Sequence, residues 1–143
     1  MDIRPITPSY AVSPQITPED IAAVRAAGFT TVINNRPDTE VPPGQQAAAL
    51  RAATEAAGLV FIDNPLSHGY LTLDHITTQA RAIAESAGPV FAYCASGNRS
   101  SVLWALANAG ARPTGELIAL PARFGYNLSA LRDQIEALAA RGE

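Results

Sequence analysis

Three times along the chain a helical stretch ends at a glycine and gives way at once to a run of strand-forming residues. Residues 18–27, 45–57 and 72–87 carry the helical pattern, Gly28, Gly58 and Gly88 stop it, and Phe29–Asn34, Leu59–Ile62 and Pro89–Tyr93 follow. Thr17-Pro18-Glu19-Asp20 has the chemistry of a helix start, with a capping residue, proline at the first helical position and acids in the first turn. The strand runs are apolar and β-branched without alternation, the pattern of strands buried on both faces. Strands that alternate with helices of this length need crossover connections. The expected fold is therefore α/β, a central mostly parallel sheet flanked by helices.

Ile3–Ile6 and Tyr10–Ser13, divided by Thr7-Pro8, read as an edge hairpin. Ser100–Ala109, Thr114–Arg123 and Leu128–Arg141 read as helices, the last with Leu131, Ile135 and Leu138 on one packing face. With 143 residues, 1–143 is the size of a single domain.

What the chain lacks narrows its chemistry. All ten basic residues are arginine, so neither a phosphate-loop lysine nor a Schiff-base lysine is available, and no cofactor is expected. One cysteine and two histidines, His68 and His75, give no disulfide framework and no ordinary zinc site, so no metal is expected. A net charge of −3 without a basic run speaks against nucleic acid. No apolar run reaches the roughly 18 residues of a membrane span, and the N-terminus has no secretory leader pattern. A cytoplasmic setting is expected.

Ligands of such sheets bind at the carboxyl ends of the strands, from which Asn34–Glu40, Asp63–Leu71 and Cys94–Arg99 depart. The last is the most informative. Val90–Ser101 reads as strand, tight loop, helix, with the sole cysteine at the turn. In that geometry the N–H groups of Ala95, Ser96, Gly97, Asn98 and Arg99 converge on a common centre beside a helix N-terminus, which makes an anion cradle. Cys94 at its floor is a candidate nucleophile, with the amides, the helix dipole and the Ser100 hydroxyl favouring thiolate. Arg99 can hold two anion oxygens, and Gly97 lets the backbone come close. Asn35 and Arg36 are candidates for the crevice rim. Arg36 with Asp38 and Glu40 reads as an ion pair that orders its loop. Leu103 and Trp104 read as core, and His75 as solvated.

Cys94–Ser100 resembles the active loop of the cysteine-dependent phosphatases and rhodaneses. With Ser13-Pro14-Gln15, Gly28–Asn34, Arg36-Pro37-Asp38, Glu40 and Gly125-Tyr126-Asn127-Leu128, the chain resembles over nearly its full length the phosphatase-like domain of beta-lactamase-hydrolase-like proteins. The resemblance implies a dual-specificity-phosphatase-like fold, a thiolate nucleophile at Cys94 and an anion-binding arginine at Arg99. Two departures stand out. Only four residues separate Cys94 from Arg99, where phosphatases of this fold usually have five, and Tyr93 stands where many have histidine.

Phosphate ester hydrolysis also needs a proton donor for the leaving oxygen. Asp63 and His68 are the candidates. Sulfur transfer from thiosulfate or a persulfide has no such need, and a short loop resembles that of rhodaneses. The sequence reading therefore leans to sulfane-sulfur transfer through a Cys94 persulfide, with phosphatase chemistry through a Cys94 phosphoenzyme as the alternative. A non-catalytic anion-binding module is the second alternative. The expected partner is a small anionic or thiol substrate, or a phosphorylated one.

Overall fold

A computed structural model describes residues 1–141. Five strands, β1 (Arg4–Thr7), β2 (Tyr10–Ser13), β3 (Thr31–Asn34), β4 (Val60–Asp63) and β5 (Val90–Tyr93), form one sheet in the order β1-β2-β5-β3-β4. β1 and β2 pair antiparallel as the expected edge hairpin, and the other three pairings are parallel. The helices are α1 (Ile21–Ala26), α2 (Ala47–Ala56), α3 (Leu73–Glu85), α4 (Asn98–Ala107), α5 (Thr114–Ala122) and α6 (Arg132–Arg141).

Alternate side chains of the central strands go to opposite faces. Val32, Phe61, Phe91 and Tyr93 pack with Ile21, Val24 and Leu50 of α1 and α2. Tyr10, Val12, Ile33, Val90 and Ala92 pack with side chains of α3 to α6, among them Ile76, Leu103, Trp104, Leu117 and Ile135. Each fully buried aliphatic side chain here contributes on the order of 1.5–3 kcal/mol. Leu103 and Trp104 are core as expected, and Leu131 and Leu138 pack beside Ile135.

Several helix ends differ from the sequence reading because short 3₁₀ turns take their place. Pro18–Asp20 and Ser129–Leu131 are 3₁₀, which trims α1 and α6. α4 does the opposite and starts at Asn98, two residues early, with Gly97 as its N-cap.

The register fixes where function can lie. Ser13 and Asn34 stand level with Tyr93, and Asp63 stands level with Asn34. Pro14, Cys94, Asn35 and Asn64 therefore all leave the sheet at one edge.

Candidate active site

Between β5 and α4 the chain makes a loop whose carbonyls are held away from its centre. The Gln15 N–H donates to Ala95 O at 3.3 Å, and the Tyr126 hydroxyl donates to Ser96 O at 2.7 Å. In a trans peptide the N–H of the next residue points opposite to the carbonyl. The Ser96 and Gly97 amides consequently face inward, and the Gly97 N–H reaches Cys94 Sγ at 3.1 Å. Gly97 has φ of +97°, a left-handed conformation that side chains disfavour. The Asn98 N–H, expected to face the centre, is instead taken by the Ser96 hydroxyl oxygen at 3.2 Å, because that side chain folds back over the start of α4. The Arg99 and Ser100 amides lie in the first turn of α4, where no intrahelical acceptor exists. Cys94 itself is buried beneath this ring of donors.

Arg99 is 5% exposed and fixed on two sides. Its Nη1 and Nη2 donate to the two carboxylate oxygens of Glu40 at 2.9 and 2.8 Å, and Nη1 also donates to Leu66 O at 2.8 Å. A guanidinium has five N–H donors. With three engaged, the remaining two, on Nε and Nη2, share one edge, the geometry that grips two oxygens of an anion. Glu40 also accepts from Arg36 Nε at 3.0 Å, and Arg36 Nη1 donates to Gln15 Oε1 at 3.4 Å. The two guanidiniums, Arg99 foremost, hold the Glu40 carboxyl down at about 2 against an ordinary 4.5. The loop-ordering pair expected between Arg36 and Glu40 is present, but the carboxylate's larger part is at Arg99.

Behind the loop lies a buried polar cluster. The Ser100 hydroxyl donates to Asn35 Oδ1 at 2.9 Å. Asn35 Nδ2 donates to Gln79 Oε1 and to Asn64 O, each at 2.9 Å, and Gln79 Nε2 donates to Asn35 Oδ1 and to Tyr10 Oη. The Tyr10 hydroxyl donates to Ser100 O at 2.9 Å, and its burial pushes the phenol far up, so it stays a donor. Two expectations change here. Ser100 points its proton at Asn35 rather than at the thiol, and Asn35 is fully buried rather than on the rim, because its amide completes this cluster. Arg36, the other residue expected at the rim, is partly exposed.

Of the two candidate acids, Asp63 is tied to Asn34, whose Nδ2 donates to its Oδ1 at 2.9 Å. His68 is exposed on the 64–71 loop, two residues past the Leu66 carbonyl that meets Arg99. His75 is not merely solvated. Its Nδ1 accepts from the Thr72 N–H at 3.1 Å, and its Nε2 stands 3.0 Å from Pro65 O, which clamps that loop to the start of α3. Asp38 accepts from the Ala47 N–H at 2.8 Å, at the head of α2. Tyr93 turns its side chain to the α1/α2 face, away from the anion loop, where burial and then Asp63 and Asp38 raise its phenol. Sequence reasoning gave Tyr126 no role beyond the resemblance, and it missed the partnership of Glu40 with Arg99. Among the described residues no three His, Cys, Asp or Glu side chains group as a metal site, and no helix is long and apolar enough to cross a membrane.

A mostly parallel sheet with a cysteine at the β5 exit, inward amides and a forked arginine at the next helix defines the class of cysteine-phosphatase-like α/β domains. The chain belongs to the family of the phosphatase-like domain of beta-lactamase hydrolase-like proteins, whose model matches residues 2–111. A beta-lactamase hydrolase-like protein of Xylella fastidiosa is 33% identical over 132 residues, 90% of this chain but 30% of that protein. This chain therefore spans about a third of the length of that relative. The crystal structure of a candidate phosphatase from Neisseria meningitidis is 29% identical, with a TM-score of 0.81 over 96% of this chain and 99% of that one. PTPMT1 in complex with PI(5)P shares the fold at 14% identity, with a TM-score of 0.77 and 99% of each chain covered. The matched family is a phosphatase-like domain and the Neisseria structure a candidate phosphatase, and neither favours the sulfur transfer suggested by loop length.

Proposed function

We propose that this chain is a cysteine-dependent phosphatase acting on phosphoric monoesters. The observation that carries the reading is the Gly97 N–H on Cys94 Sγ, with the neighbouring carbonyls turned out, in a loop one residue short of the usual length. α4 starts at Asn98, so the Arg99 and Ser100 amides are first-turn donors at the end of that loop.

In the proposed reaction the Cys94 thiolate attacks phosphorus opposite the ester oxygen. An S–P bond forms, the P–O bond breaks, and the leaving oxygen takes a proton from an acid on the 64–71 loop or, for a phenolate, from water. Water then attacks the phosphocysteine, giving one proton to the conjugate base of that acid or to solvent and keeping the other on the new phosphate; the S–P bond breaks, and inorganic phosphate leaves with the thiolate restored. The amides and the free edge of Arg99 hold the oxygens, whose charge grows in each transition state. Similarity to a candidate phosphatase over 96% of the chain supports the same assignment.

Side-by-side assays with an aryl phosphate and thiosulfate test it. Wild type is expected to hydrolyse the ester and to form a phosphocysteine detectable by mass spectrometry after acid quench. Cys94→Ser is expected to lose turnover yet keep its affinity for inorganic phosphate. A Cys94 persulfide after thiosulfate, with no ester hydrolysis, would return the assignment to sulfur transfer. Phosphate binding without either reaction would leave a binding module.

A further inference from the structure

We infer that Tyr126, backed by Arg4, is a positioning residue that locks the Ser96–Gly97 peptide in the orientation an anion requires. The inference rests on the anion-loop reading of Cys94–Arg99, and not on which reaction follows.

That peptide is one rigid plane with two ends. Its carbonyl accepts the Tyr126 hydroxyl proton at 2.7 Å, and its N–H points the other way, to Cys94 Sγ at 3.1 Å. The plane is flanked by Gly97 in a left-handed conformation, and glycine crosses between backbone basins at little steric cost. Nothing in Gly97 itself therefore prevents the peptide from turning over and presenting a carbonyl oxygen to the anion. The restraint comes from outside the loop. Arg4 Nη1 donates to Tyr126 Oη at 2.6 Å, which occupies the oxygen as an acceptor and directs its one proton to Ser96 O. Asp2 in turn pairs with Arg4. Tyr126 is 6% exposed, so little water competes for that proton.

Packing points the same way. A Cβ on Gly97 would collide with Tyr126 Oη and sit 3.0 Å from its Cζ, so the tyrosine rests directly against the loop at the residue whose amide meets the thiol. β1 and the segment before α6 thus reach the site through one hydroxyl.

Alkylation of Cys94 by iodoacetate and by iodoacetamide at one pH reads the loop without any assumption about turnover. In open water the neutral reagent is at least as fast, so a preference for the anionic one reports the inward donors. Wild type is expected to prefer iodoacetate. Tyr126→Phe should lower that preference roughly five- to tenfold, the scale of one neutral hydrogen bond, and weaken phosphate binding in parallel. Arg4→Met leaves the tyrosine in place and should give a smaller loss in the same direction, so the test survives if Tyr126→Phe folds poorly. Thr54→Val removes a buried hydroxyl that donates to Leu50 O within α2, and should lower thermal stability without moving the ratio. An unchanged ratio in Tyr126→Phe, or an equal shift in Thr54→Val, would overturn the assignment. A wild type without preference for iodoacetate would overturn the cradle itself and the lock with it, whereas aryl phosphate left unhydrolysed beside an intact preference would count only against the phosphatase reading.

Discussion

Glu40 and Arg99, 59 residues apart in sequence, meet through two parallel N–H to oxygen contacts of 2.8 and 2.9 Å. The pair turns the far end of the guanidinium into a fixed anchor and leaves one edge for the substrate. At a depressed pKa of about 2 the carboxyl is ionised at neutral pH, so Glu40 holds Arg99 and is not the proton donor.

Glu40→Gln keeps the shape but removes the charge and one acceptor. Hydrogen bonds to charged groups contribute about 1.5–3 kcal/mol, so kcat/KM for an aryl phosphate should fall roughly ten- to hundredfold. Steady-state kinetics of the variant check this, and an unchanged kcat/KM would mean that Arg99 is held by Leu66 O and packing alone.

The same carboxyl sets an acid limit. Its folded pKa lies below the unfolded value of 4.5, so its stabilisation is fully present above that value and is lost as pH falls toward about 2. Urea midpoints for wild type and Glu40→Gln should differ at neutral pH and converge across this window. Midpoints separated by a constant amount down to the lower limit would show that the pair contributes nothing through ionisation.

The buried cluster behind the loop should be sensitive to any truncation. Asn35→Ala leaves Gln79 and Ser100 without a partner for a donor each, at about 1–3 kcal/mol per orphaned group. A lowered midpoint in chemical unfolding with an unchanged denaturant slope is the expected result. A loss below about 1 kcal/mol would mean that water replaces the amide.

The alternation of helix, glycine and strand made the sheet and its carboxyl edge legible, and the lone Cys94 at a strand exit made the loop legible. Both signals are local, since burial on two faces leaves continuous apolar runs and a tight turn leaves a glycine. What could not be read is what comes from far along the chain. Glu40 looked like the partner of its neighbour Arg36, because an i,i+4 spacing is visible and a contact across the sheet edge is not. Asn35 looked like a rim residue because nothing in its surroundings announces that Gln79, from α3, satisfies its amide. Tyr126 stood out only as part of a resemblance. Its role appears once the turn after α5 is seen to lay it on Gly97.

The proton donor gives the last test, and it separates His68 from Asp63. The Asp63 carboxylate is already engaged by Asn34, whereas His68 is free on the loop that reaches Arg99 through Leu66 O and is braced by His75 against Pro65. A phenolate with a low conjugate-acid pKa leaves unaided, so an activated aryl phosphate should respond little to the loss of either residue. An alkyl phosphate needs the proton, and general acid catalysis contributes about a hundredfold or more. His68→Gln should therefore slow hydrolysis of an alkyl ester by about that factor while sparing the activated aryl ester, and Asp63→Asn should change both only slightly. Measuring both variants on both esters decides the matter. If Asp63→Asn alone shows the ester-dependent loss, the acid is Asp63 and its contact with Asn34 must break when substrate binds.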